Sequence, residues 1–235
     1  MKIGDNVVML EISDDIMGSQ RTIYPVLIFD NENAILVDTD FPGQLPKIRE
    51  AIKETGVPFE SINAIILTHH DIDHIGNLSD MVKELQGIAK VMAHVDEKPY
   101  IEGDLKPLKL AQLESKLNAL PDEMKGIFNK MKSSFDKNRT KVDVALNDGE
   151  ELPFCGGIDV IHTPGHTLGH VCLYLKKTKV LITGDMLNIK DGKLVPSSKD
   201  INFDDDMNLK SIEKIGGYDV KYVICYHSGL FKKEC

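Results

Sequence analysis

The apolar run Ile62-Asn63-Ala64-Ile65-Ile66-Leu67 leads straight into Thr68-His69-His70-Asp71-Ile72-Asp73-His74-Ile75-Gly76-Asn77. The run predicts a short buried strand. His69, Asp71, Asp73 and His74 then crowd lone-pair donors just beyond its end. A fold that accommodates this segment buries the strand in a sheet and leaves its end open at the sheet edge. In extended chain, residues two apart point the same way, so His69 and Asp71 can share one metal. Asp73 and His74 sit where the chain turns into the next helix and can face a second. Such a cluster suits a pair of divalent metals and the water they activate. His70 is out of phase with His69 and Asp71, which predicts packing or orientation rather than ligation. Asp73, opening a helix, also fits a simple N-cap.

The segment resembles the H-x-H-x-D-H signature of the metallo-β-lactamase-fold hydrolases, with Asp71 where the second His usually stands. Thr163-Pro164-Gly165-His166-Thr167-Leu168-Gly169-His170 is similar to that family's T-P-G-H-T-x-G-H motif. Leu181-Ile182-Thr183-Gly184-Asp185 resembles the strand that carries its bridging Asp, and Ile224-Cys225-Tyr226-His227-Ser228-Gly229 its last strand and terminal His. The motifs keep the family's order and span residues 62 to 229.

The resemblance implies an α/β fold, a four-layer αβ/βα sandwich of two internally duplicated halves. It also implies a ligand set. His166 completes a first metal site with His69 and Asp71, and His227 completes a second with Asp73 and His74. Asp185 bridges both, and Asp73 and Asp185 are the expected catalytic carboxylates. The implied cofactor is two divalent metal ions, zinc or iron/manganese, with a bridging water or hydroxide as nucleophile. His170 is expected to orient a ligand by hydrogen bonding. His162 and His94 read as edge-of-strand histidines, with His94 within range of the site as the alternative. Asp71 replaces a neutral imidazole by a charged oxygen, which shifts preference from zinc toward iron or manganese. The alternative leaves Asp71 off the metal and the first site weak or empty.

Strands are expected at 6–12, 22–30, 34–38, 91–94, 141–146, 158–162, 171–175, 179–184 and 220–226. Helices are expected at Gln44–Lys53, Leu78–Gln86 and near 206–215. The Gly156-Gly157 pair predicts a turn. Between the halves, Leu105, Leu108, Leu113, Leu117, Leu120, Met124, Phe128 and Met131 recur at helical intervals. Pro107, Pro121 and Gly126 are expected to break this stretch into short pieces. The chain therefore reads as one domain, 1–235, with a helical insertion at about 105–138. That insertion is expected to cap the cleft, with a structural flange or dimer contact as its alternative.

A formal charge of −9 over 235 residues disfavours nucleic acid, which needs a basic surface. Lys-rich 125–141 alternates with Phe128, Met131 and Phe135, as a solvated helix face does. No apolar run approaches the ~20 residues that span a bilayer, and the N-terminus does not read as a signal peptide. The expectation is a cytoplasmic protein with free thiols, Cys225 buried and Cys235 exposed, acting on a small-molecule substrate, with a homodimer as the other candidate association. The leading functional expectation is a metal-dependent hydrolase of esters, lactones or thioesters. Secreted β-lactamase activity is disfavoured by Asp185, where the best-known zinc lactamases carry Cys. The family's glyoxalase II-type thioesterases add a C-terminal helical domain, for which little chain follows His227. The alternative is a stand-alone di-iron protein that binds or reduces oxygen. It would resemble the flavodiiron core, where a carboxylate replaces the same His.

Overall fold

The structure, a computed structural model, describes residues 1–16, 18–119 and 121–233. Leu120 and Cys235 lie outside them. The first half runs β1 (Val7–Met9), β2 (Ile12–Ile16), β3 (Ser19–Ile23), β4 (Val26–Phe29), β5 (Ala34–Val37), α1 (Leu45–Glu54), β6 (Ala64–Leu67), α2 (Ile72–Ile75), α3 (Leu78–Glu84), β7 (Lys90–His94), α4 (Lys98–Glu102), α5 (Leu108–Ser115), α6 (Asp122–Asn138) and β8 (Val144–Leu146). The second half runs β9 (Glu151–Leu152), β10 (Ile158–His162), β11 (Val171–Leu175), β12 (Val180–Ile182), β13 (Leu187–Lys190), β14 (Lys193–Pro196), α7 (Asp205–Ile215), β15 (Tyr222–Cys225) and β16 (Gly229–Lys232).

Two mixed sheets form the interior, in the orders β1-β4-β5-β6-β7-β8 and β16-β15-β12-β11-β10-β9. Side-chain alternation makes the layers. In β6, Ile66 points into the core between the sheets, beside Ile35, Val37, Val160, Leu173, Ile182 and Ile224. Its neighbours Ile65 and Leu67 point the other way, onto Ile48, Ile52, Leu78 and Met81 of α1 and α3. The second sheet repeats the pattern. Cys172, Tyr174, Leu181 and Val223 cover its outer face against Ile215 of α7. Helix, sheet, sheet and helix stack as the predicted αβ/βα sandwich.

Strands β5 to β8 run parallel, as do β12 and β15. Their carboxyl ends therefore gather along one edge, where ligands collect in open α/β sheets. The hairpin β2–β3 stands over that edge and sends Gln20, Arg21 and Thr22 into the cleft.

Some expectations need correction. The strand expected at 22–30 is broken at Tyr24-Pro25, because Pro25 lacks the N–H a continuous ladder needs. Gly126 does not break the helical segment: α6 is continuous from Asp122 to Asn138. A glycine inside a helix costs only about 1 kcal/mol relative to Ala, which buried Phe128 and the α6 packing offset. Helix α4 and the β13–β14 hairpin carried no usable periodicity and were not expected.

Candidate metal centre

The predicted residues arrive at the carboxyl ends of strands from both sheets. His69 follows β6, and Asp73 and His74 lie in α2 just beyond it. His166 follows β10, Asp185 follows β12 and His227 follows β15. Two motif glycines allow this convergence. Gly165 has φ +144°, and a Cβ there would stand 2.4 Å from the Asn208 backbone in α7. Gly184 has φ +48°, and a Cβ there would stand 2.7 Å from His170 Nε2. Only glycine fits such approaches.

The side chains form two groups that share Asp185: His69, Asp71, His166 and Asp185, and then Asp73, His74, Asp185 and His227. In the first, Asp71 Oδ2 lies 3.0 Å from His166 Nε2 and 3.5 Å from His69 Nε2. Asp185 Oδ2 lies 3.5 Å from His166 Nε2. In the second, Asp185 Oδ1 lies 3.2 Å from both His74 Nε2 and His227 Nε2, and Asp73 Oδ2 lies 3.3 Å from His227 Nε2.

Hydrogen bonds behind the rings set their tautomers. Thr68 Oγ1 donates to Asp38 Oδ2 at 2.8 Å, so it accepts from His69 Nδ1 at 3.1 Å. His74 Nδ1 donates to Asp38 Oδ2 at 2.9 Å. Asn202 Nδ2 donates to Asp205, which leaves Asn202 Oδ1 to accept from His166 Nδ1 at 3.2 Å. With each Nδ1 carrying the proton, each Nε2 turns a lone pair toward Asp185. His69 Nε2, His74 Nε2 and Asp185 Oδ1 are buried and have no hydrogen-bond partner. An orphaned buried polar atom costs about 1–3 kcal/mol. Two orphaned ring nitrogens facing a carboxylate whose own Oδ1 is orphaned fit a bound cation, and the His/Asp donor set suits a divalent transition metal.

The electrostatics agree. Burial works to lower His74, but Asp185, Asp38 and Asp73 outweigh it and hold the imidazole well above its usual range. Burial likewise opposes His227, yet Asp185 and Asp73 push it up to about 10. Such crowded negative charge attracts a cation of either kind, proton or metal.

Asp71 and not Asp73 takes the N-cap position of α2, and it makes no side-chain cap bond. Its carboxylate faces His166 instead. Asp73 sits in the first turn and turns toward His227. His70 faces away from both groups: it is buried, bonded through Nδ1 to Glu97 and stacked on Tyr100. His170 accepts from the backbone N–H of Asp185 at 3.2 Å and donates to Thr163 Oγ1 at 2.9 Å, so it positions Asp185. Burial lowers it to about 3, which keeps it neutral for that task. His94 stacks on His162 with ring centroids 4.1 Å apart, in a third group with Asp96. Cys225 is buried, and burial pushes its thiol up to about 11, as for an inert core residue.

Four supporting residues escaped the sequence reading. Asp38 orients His74 and Thr68; an Asp closing the apolar run Ala34–Val37 was a signal of the same kind as the one at 62–67. Glu97 is wholly buried and accepts from His70 N at 2.8 Å, Thr167 Oγ1 at 2.6 Å and Gly169 N at 2.8 Å, besides the His70 ring. It thereby ties the first His/Asp motif to the T-P-G-H motif. Asn202 and Lys109 complete the set, and nothing local distinguishes them or Glu97 from surface polar residues.

The ligands floor a cleft of about 650 Å³, walled by Gln20, Arg21, Phe41, Lys109, Asn188 and Ile201. A larger groove of about 980 Å³ lies over α1 and α3 and contains no candidate ligand, so it is not the reaction site.

Comparison with known proteins gives the family and the fold. The family model of the metallo-beta-lactamase superfamily matches residues 19–227. The "Probable metallo-hydrolase YflN" of Bacillus subtilis is 31% identical over 155 residues, covering 64% of this chain and 54% of that protein. The hydroxyacylglutathione hydrolase of Brucella ovis is 29% identical over 180 residues, 76% of this chain and 52% of its own length. The chain thus spans about half the length of these curated relatives. Among solved structures, a metallo-beta-lactamase family protein of Thermus thermophilus superposes with a TM-score of 0.72 at 21% identity, covering 97% of this chain and 75% of that one. A metallo-beta-lactamase from Pontibacter korlensis gives 0.70 at 17% identity, covering 99% and 92%. At such identities the likeness establishes the fold alone.

Proposed function

This chain belongs to the metallo-β-lactamase superfamily, and from that premise we propose that it is a dinuclear metal-dependent hydrolase of acyl bonds in esters, lactones or thioesters. The observation that carries the reading is the set of orphaned lone pairs, His69 Nε2, His74 Nε2 and Asp185 Oδ1, converging at the floor of an open cleft. His69, Asp71, His166 and Asp185 would hold one ion. Asp73, His74, Asp185 and His227 would hold the other. Bound there, zinc, iron or manganese would lower the pKa of water and stabilise negative charge on a carbonyl oxygen.

The chain's own residues do the positioning. Asp38, Asn202 and Thr68 fix the ring tautomers, and His170 fixes Asp185 through its backbone. Asp73 and Asp185 keep carboxylate oxygens at the cleft floor, where a reacting group would lie. Leu108, Lys109 and Gln112 of α5 face Ile201, Asn202 and Phe203 across the mouth, beside Asp71 and His166. This supports reading the helical segment at 105–138 as a cap that selects substrates. Leu108 and Gln112 are then the positions to vary, whereas Phe128 is buried against the fold.

The test is metal analysis of protein purified without added metal, followed by turnover of an acetate ester, a γ-lactone and an acyl thioester. Two ions per chain and cleavage of at least one acyl class are expected. A di-metal protein that cleaves none of them, but consumes oxygen with a reductant, would replace this reading with a di-iron oxygen-reducing one. The carboxylate of Asp71 in the first cluster is the one feature that favours that second reading.

A further inference from the structure

The side chain of Lys109, from α5, reaches the first cluster. Its ammonium pairs with Asp71 Oδ2 and lies 3.0 Å from His166 Nε2. These two acceptors stand only 3.0 Å apart. Asn202 takes the proton of His166 at Nδ1, so Nε2 presents a bare lone pair to a carboxylate oxygen. Two acceptors that close repel unless a donor or cation joins them, and Lys109 supplies both needs at once. Among the described residues its ion pair is with Asp71 and not with Asp185, so it stands on the outer edge of the cluster. The Asp71 side chain is 14% exposed and that of Lys109 38%, so the pair lies where ions from solvent would enter.

We infer that Lys109 is a displaceable internal cation that competes with a metal for Asp71 and His166, so that filling the first cluster releases α5 from the cleft wall. The inference rests on reading that cluster as a metal site. The lone pairs that Lys109 engages are the ones an ion would need, and each can serve only one partner well. A metal entering there turns the ammonium out, and α5 loses its ionic tie to the ligands. Tight docking of the cap helix and occupancy of the first cluster therefore oppose each other, and the coupling is reciprocal. Among the described residues the second cluster has no such competitor: the ion-pair partners of His74 and His227 are the carboxylates of Asp73, Asp185 and Asp38, with no Lys or Arg among them. It fills first.

The test is a zinc titration against a competing chelator, on wild type, Lys109→Met and Lys109→Arg, with hydrogen exchange followed over 108–115. Met keeps the helix and the stem while removing the charge. In wild type one ion binds tightly and a second more weakly. Lys109→Met tightens the second ion on the order of tenfold, the loss of a charge-assisted contact, while Lys109→Arg stays weak. In wild type the second equivalent of zinc, and not the first, speeds exchange in 108–115. That measurement needs no variant to fold. Two ions bound with equal second affinities in wild type and Lys109→Met, and exchange indifferent to the second equivalent, overturn the inference and leave the metal site standing. A single ion, or none, in both proteins overturns the metal reading of the first cluster, and the inference with it.

Discussion

Each cluster draws two ligands from the segment after β6 and one His from the second half, but the first is closed by Lys109 from α5 while the second is partly open to solvent. His69 and Asp71 come from the first half and His166 from the second, and Glu97 and Lys109 brace them from the start of α4 and from α5. In the second cluster, Asp73 and His74 share one short helix, with Tyr226 packed on the His74 ring at 3.9 Å and bonded to the Asp73 carbonyl at 2.7 Å. His227 there is 29% exposed. Each cluster thus depends on what ties distant segments together: Glu97 and Lys109 at the first, Tyr226 at the second. The difference teaches that metal affinity at the two clusters should respond to different supporting residues, although they share Asp185.

Asp185→Asn is the substitution that ignores the distinction. It removes charge from both clusters, so metal content measured by elemental analysis should fall at each, and turnover should drop by at least about a thousandfold. Retention of one full equivalent of metal would mean that the clusters do not share this carboxylate. Glu97→Gln separates them. Gln cannot accept from all of the donors Glu97 serves, and breaking a buried ionic network costs about 3–5 kcal/mol. A chain this long should then melt roughly 6–20 °C lower, and the first cluster should lose its ion before the second. Equal loss at both would show that Glu97 supports the fold as a whole and not one cluster.

Asp38→Asn is the converse. It weakens the bond that turns His74 Nε2 inward, and changes of this kind typically cost about 10–100-fold in metal affinity. Calorimetric titration should place that loss in the tighter, second-cluster phase. A loss confined to the weaker phase would reverse the assignment of the two sites. The smallest expected effect is that of Asp71→His. Imidazole suits zinc better than a carboxylate does, so competition titrations should show zinc gaining about tenfold over manganese at the first cluster only. Unchanged selectivity would mean that Asp71 answers to Lys109 and not to a metal.

His69, Asp71, Asp73 and His74 were legible in the sequence because they are local, whereas His166, Asp185 and His227 entered through the resemblance of their motifs. Each sits within a few residues of an apolar run whose β character is visible without any neighbour, and the ligands His69, Asp71, Asp73 and His74 divide in the structure between two facing groups. The alternation of Ile65, Ile66 and Leu67 likewise announces a strand buried on both faces, and hence layers on both sides of it. The breaks in that legibility have physical causes. Gly126 reads as an interruption but lies inside α6, because packing around Phe128 outweighs a weak intrinsic preference. The alternative reading of Asp73 as a simple N-cap fails because Asp71 holds that position: the chain stays extended through Asp71 (φ −64°, ψ 150°) and turns only at Ile72.

The sequence by itself determined the strand ends and the chemistry they carry, since those depend on periodicity and on residues close together in the chain, while the four-layer sandwich was implied by the resemblance of its ordered motifs to a known family. The tertiary structure alone decided which polar residues serve the site. Glu97 is 72 residues from Gly169, and Lys109 is 57 from His166. Nothing local marks either of them out among the 28 Lys and Arg and the 37 Asp and Glu of the chain. A buried carboxylate or an inserted ammonium is defined by what surrounds it, and that environment exists only once the two sheets and helices α4 and α5 have packed together.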